Sequence, residues 1–90
     1  MSVERSRMIE EELVQYIAEN LVTDPEQINL SRRDSGRTVV LKLSVAKNDM
    51  GRMIGRSGRV ANSIRALLRA LPSQEEGRDR RRRRVILEIE

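Results

Sequence analysis

The amino-acid sequence predicts a small two-layer α+β domain in the order helix, strand, strand, helix, helix, strand. Three observations predict it. Apolar residues recur at helical spacing in two separate runs, Met8–Val22 and Ala61–Leu71. Between them, Thr38 to Val45 alternates apolar and polar residues, the period of a strand. Two glycines, Gly55 and Gly58, stand between two helix-like patterns and mark a tight bend. A three-stranded sheet packed on one face by three helices satisfies this order. The chain of 90 residues reads as one domain over 1–90, with no internal repeat or linker. A domain of this size buries only about 60–65% of its unfolded surface, so its stability margin is thin.

The elements follow in order. Residues 1–7 are polar and expected to fray, with Ser6 a candidate N-cap. From Met8 to Val22, Ile9, Leu13, Val14, Ile17 and Leu21 form one stripe, and Glu10, Glu11, Glu12 and Glu19 lie mostly off it. That acidic side is either a solvated face or a contact surface for a basic partner or a second copy. Pro25 disfavours helix at the residue before it and stops the run by Asp24. Ile28 and Leu30 alternate with polar residues, a short strand over Gln27–Arg33. Asp34-Ser35-Gly36 is a turn signal, so this strand and Thr38–Val45 form an antiparallel hairpin. In the second strand Val39, Leu41, Leu43 and Val45 face inward.

Asn48 or Asp49 then caps a short helix reaching Ile54, with Met50 and Met53 as apolar contacts. Gly51 inside it costs about 1 kcal/mol relative to Ala, which predicts a packing reason such as close approach of the next helix. The final helix ends at Pro72. A polar stretch follows, with an Arg-rich loop over 78–84, including Arg80 to Arg84 in unbroken succession. Those arginines either neutralise a phosphate backbone or form a solvated, self-repelling loop. Val85, Leu87 and Ile89 alternate inward in the last strand.

Charge is divided along the chain. Met1 to Leu30 holds two Arg against seven Asp or Glu, a net −5, while Ser31 to Glu90 holds sixteen Lys or Arg against seven, a net +9. Basic clustering of this kind suits a polyanion. The focus is Met53-Ile54-Gly55-Arg56-Ser57-Gly58-Arg59. Gly admits positive φ and close backbone approach, and the bend opens on a helix N-terminus, whose amides and dipole favour an anion. Arg52, Arg56 and Arg59 surround it with positive charge. The expected chemistry is a phosphate clamp, and the expected polymer is RNA. Ile54, Ala61 and Ile64 are either core or base contacts, and Ile54 can be both. Tyr16, the one aromatic, is expected to pack on the first helix. Reading bases by stacking needs two or three rings, so that mode is excluded.

Other chemistry is poorly served. There is no Cys and no His, and no Walker-type or Gly-x-Gly-x-x-Gly loop. No acid–base constellation is recognisable, so neither an enzyme, a metal site, a cofactor nor a small-molecule substrate is expected. No apolar run approaches the ~18 residues of a membrane span, and the N-terminus lacks a signal peptide's apolar core. A soluble cytoplasmic protein without membrane insertion is the expectation.

Ile54-Gly55-Arg56-Ser57-Gly58, followed by Ala61 and Ile64, resembles the signature of KH domains. The element order is similar to the bacterial, type II arrangement. From residue 8 to 90 the chain resembles the small stand-alone bacterial KH proteins of the KhpA-like family, on Asp24-Pro25-Glu26, Asp49 to Gly55, and Arg59 followed by Ile64-Arg65-Ala66-Leu67-Leu68. Three features depart from the pattern. Met53 stands where Val or Ile is commoner, Ala61 is smaller than the usual Ile, and the Arg80–Arg84 run is unusually dense. The resemblance implies a non-catalytic module whose Gly55 and Gly58 clamp about four nucleotides of RNA backbone, with Arg56 and Ser57 at the tip and Ile54 and Ala61 walling a groove for bases. It further implies a homodimer, pairing with a larger KH-containing partner, KhpB, RNA-chaperone or post-transcriptional roles, and a link to cell elongation and division.

Overall fold

The computed structural model describes residues 3–71 and 84–90. Its elements are helix α1 (Val3–Leu21), strands β1 (Asn29–Ser35) and β2 (Thr38–Ser44), helices α2 (Met50–Ile54) and α3 (Arg59–Ala70), and strand β3 (Arg84–Ile89). Single helical turns at Pro25–Gln27, Lys47–Asp49 and Arg56–Gly58 join them. The strands lie in the order β1-β2-β3, antiparallel between β1 and β2 and parallel between β2 and β3. The expected mixed α+β order of helices and strands is the one observed.

Alternation decides which sheet face is buried. Val39, Leu41 and Leu43 of β2 and Leu87 of β3 are fully or almost fully buried. Val14 and Ala18 of α1, Met53 of α2, and Ile64 and Leu68 of α3 meet them from one side. All three helices therefore cover one face, and among the described residues no element covers the other. Burying a Leu or Ile side chain contributes about 1.5–3 kcal/mol, so these contacts decide the layer arrangement.

Several boundaries move for physical reasons. Helix α1 begins at Val3, ahead of Met8, so Ser6 lies within the helix and not at its cap. The β1 ladder runs on through Asp34 and Ser35, which pair with Val39 and Thr38, leaving Gly36-Arg37 as the turn. Arg32 consequently faces the helices. Its guanidinium is held 3.2 Å from Glu10, 3.6 Å from Glu11 and 2.9 Å from Asp34. The acidic side of α1 thus does more than face solvent: part of it anchors β1. Arg84 belongs to β3 and not to a loop, since its N–H donates to the Arg37 carbonyl at 2.7 Å. Arg80 to Arg83 and Pro72 lie outside the described residues. Tyr16 is 66% exposed and does not pack against the core.

Gly51 corrects another expectation. A Cβ built there meets nothing within 4 Å, so no close helix approach explains it.

Candidate nucleic-acid interface

The clamp sequence forms an exposed turn between α2 and α3. Gly55 has φ 77° and ψ 173°, a region essentially reserved for Gly. A Cβ there would stand 2.8 Å from the Val60 backbone nitrogen and 2.9 Å from Val60 Cβ, and would also strike Val60 Cγ2. The chain can thus pass over the first turn of α3 only at a residue without a side chain. Ser57 (φ 57°) and Gly58 (φ 75°) follow in left-handed conformation. A Cβ on Gly58 would lie 3.8 Å from Asn62 Nδ2, an ordinary contact. Gly55 is demanded by packing and conformation together, whereas Gly58 is demanded by conformation alone.

The two exposed tip residues, Arg56 and Ser57, project from this turn, with Arg59 exposed beside them. Not every amide expected to face an anion does so. Gly58 N–H donates to the Gly55 carbonyl at 3.1 Å, and Arg59 N–H donates to the Arg56 carbonyl. From Met50 to Leu71 the sequence has no Asp or Glu, while Arg52, Arg56, Arg59, Arg65 and Arg69 fall within it. The helix dipole of α3 adds positive potential at the same end.

Of the three apolar residues read as core or groove, Ile54 is 38% exposed beside the turn. Ala61 is 3% exposed and Ile64 is as deeply buried, so both shape the site from beneath. Ala61, expected as groove wall beside Ile54, thus has almost no exposed surface. Arg65 is also committed elsewhere. Its Nε and Nη2 donate to the Leu87 carbonyl at 3.3 and 3.0 Å, tying α3 to the outer edge of β3.

Asp49 is the participant that spacing did not reveal. It is 1% exposed and immediately precedes α2. It does not cap that helix through its side chain. Instead Oδ1 accepts from Thr23 N–H at 3.0 Å and from the Thr23 hydroxyl at 2.9 Å, and Oδ2 accepts from Asp24 N–H at 3.2 Å. Arg52 Nε stands 3.4 Å from Oδ1. The Thr23 backbone bond is the main cause holding the Asp49 carboxyl below its ordinary pKa; burial opposes it, and the Thr23 hydroxyl, Asp24 N–H and Arg52 add to it. The carboxylate thereby pins the end of α1 to the start of α2 and steers Arg52, half of whose surface stays exposed near the turn.

Among the described residues no three Asp, Glu, His or Cys side chains gather as metal ligands. No described helix is long and apolar enough to cross a membrane.

Comparison with known proteins bears on this geometry. The family model described as the KH domain of KhpA/KhpB matches residues 11–88. An RNA-binding protein KhpA of Caldanaerobacter subterraneus is 37% identical over 78 residues, which are 87% of this chain and 96% of that protein. An RNA-binding protein KhpA of Listeria monocytogenes is 41% identical over 66 residues, 73% of this chain and 87% of its own. One of Chlamydia trachomatis is 39% identical over 64 residues, 71% of this chain and 82% of its own. No solved structure matches.

Proposed function

Since the chain belongs to the KhpA/KhpB family of KH domains, we propose that it binds single-stranded RNA without catalysis, holding the sugar-phosphate backbone at the Gly55–Gly58 turn. The observation that carries this reading is the turn itself: left-handed Ser57 and Gly58 shape a bend at the head of α3 whose tip residues Arg56 and Ser57 are exposed, with Arg59 exposed beside them. KH modules grip about four nucleotides at such a turn. Arg56 and Arg59 supply charge to the phosphates, Arg52 is aimed by Asp49, and Ile54 offers an apolar edge to a base. Names of relatives, RNA-binding protein KhpA, support the same polymer. The setting this implies is cytoplasmic, in RNA chaperoning or post-transcriptional control.

Replacing Arg56 and Ser57 together by Asp tests the clamp. Asp tolerates the left-handed region, so Ser57→Asp adds charge with little strain. Single-stranded RNA affinity is expected to fall by about tenfold or more, with a shallower salt dependence. Unchanged affinity in the folded variant rules the clamp out.

A second reading, in which the chain dimerises or joins a larger KH-containing partner in elongation and division control, is favoured by α3. Leu67 is 50% exposed there, beside exposed Ser63, Ala66 and Ala70 at helical spacing. Sedimentation of the wild type and Leu67→Asp tests it: a wild type that sediments as a monomer removes self-association.

A further inference from the structure

The sheet face away from the helices carries a charge pattern that the clamp does not use. The pairing register lays Ser35, Thr38 and Arg84 side by side at the hairpin end, then Arg33, Val40 and Ile86, then Ser31, Lys42 and Glu88. No described element covers these rows. Arg33 and Arg84 are exposed, and Ile86 is 36% exposed beside half-buried Val40. Both basic side chains fall in the first two rows, where no acidic residue stands on this face. Asp34, between them in sequence, points to the other face and binds Arg32 at 2.9 Å. Among the described residues, acid on this face stands farther along, where Glu90 pairs with Lys42 at 3.8 Å and Glu88 lies adjacent. The bond from Arg84 N–H to the Arg37 carbonyl pins this end of β3 to the hairpin turn, so the two cations sit on a rigid frame.

An apolar pair edged by two arginines suits a chain with an anionic rail and less polar sugars and bases. Resting on the RNA reading above, we propose that the hairpin end of the open sheet face, built from Arg33, Val40, Ile86 and Arg84, holds the RNA backbone beyond the nucleotides gripped at Gly55–Gly58. The domain then has two contact surfaces on one strand. Short RNA uses the turn alone, and longer RNA uses both.

The test compares wild type, Arg33→Gln/Arg84→Gln and the Arg56→Asp/Ser57→Asp variant, each checked for folding by circular dichroism. The probes are single-stranded oligonucleotides of about four nucleotides, the length a KH turn grips, and of about twenty. The double Gln variant is expected to match wild type on the short RNA. On the long RNA its log–log salt slope should be shallower by about 1.4, from two phosphates at about 0.7 each, so a fourfold rise in salt costs wild type about sevenfold more affinity than the variant. Equal slopes and affinities on the long RNA overturn the proposal. So does equal loss on both lengths, which would assign the arginines to the turn. Loss of poly-glutamate binding with RNA binding intact would assign the face to an acidic protein and overturn it too. If the Asp variant binds both RNAs normally while the Gln variant weakens only on long RNA, the turn reading fails and this surface stands.

Discussion

Replacing each clamp glycine by Ala separates two reasons for its presence. At Gly55 the new Cβ meets the Val60 backbone nitrogen at 2.8 Å and Val60 Cβ at 2.9 Å. Neither atom can move without shifting the start of α3. Overpacking of this kind costs about 1–3 kcal/mol, and a residue other than Gly at φ 77°, ψ 173° adds about 1–3 kcal/mol of strain. Gly55→Ala is therefore expected to lose about 2–6 kcal/mol. A domain of 90 residues holds roughly 5–13 kcal/mol, so the loss is a large share. At Gly58 only the left-handed conformation is at stake, costing about 1–2 kcal/mol, because the nearest atom is 3.8 Å away. Urea unfolding of the two variants should separate their midpoints, with Gly55→Ala clearly the weaker. Adding Val60→Ala to Gly55→Ala should recover little, since the backbone nitrogen and Cβ contacts remain. Equal midpoints for the two single variants, or full rescue by Val60→Ala, would refute the packing account of Gly55.

Three other outcomes follow from the same geometry. Gly51→Ala meets open space in an exposed helix position, so it should stabilise by about 0.5–1 kcal/mol and raise the melting temperature by several degrees; a lower melting temperature contradicts the absence of a packing role. Because the folded-state pKa of Asp49 lies below its unfolded value of about 3.9, its contribution is complete above about pH 5 and disappears as pH falls through the folded value. The melting-temperature gap between wild type and Asp49→Asn should thus hold steady from about pH 5 to 8 and narrow below about pH 4; a gap that persists in acid sinks the carboxylate account. Leu41→Ala should cost about 2–5 kcal/mol, against about 0.5 kcal/mol for a change at an exposed strand position such as Ser31→Thr, and comparable losses by chemical denaturation would mean the buried face is misassigned.

What could be read in the sequence was whatever depends on neighbours along the chain. The period of Met8–Val22 and the alternation of Thr38–Val45 report burial directly, and Val39, Leu41 and Leu43 are indeed the floor of the core. Gly55 and Gly58 announced a bend because positive φ leaves few other choices. What was hidden depends on distant partners. Asp49 reads as a helix cap, yet its carboxylate serves Thr23 and Asp24, more than twenty positions earlier. Arg32 breaks the apolar alternation of Ile28 and Leu30, but Glu10, Glu11 and Asp34 receive it on the helix side. Arg84 reads as the last residue of a basic run, and only pairing with the hairpin draws it into β3. Ala61 shares the helical spacing of its neighbours, and spacing alone does not tell a buried groove base from an exposed wall.

The most direct measurement is a titration of isotope-labelled protein with a short single-stranded RNA, followed at each backbone amide by NMR. The account predicts the largest shifts at Ile54 to Arg59, growing weaker with salt. Shifts confined to α1, or no response at the turn in an RNA-bound sample, would contradict it.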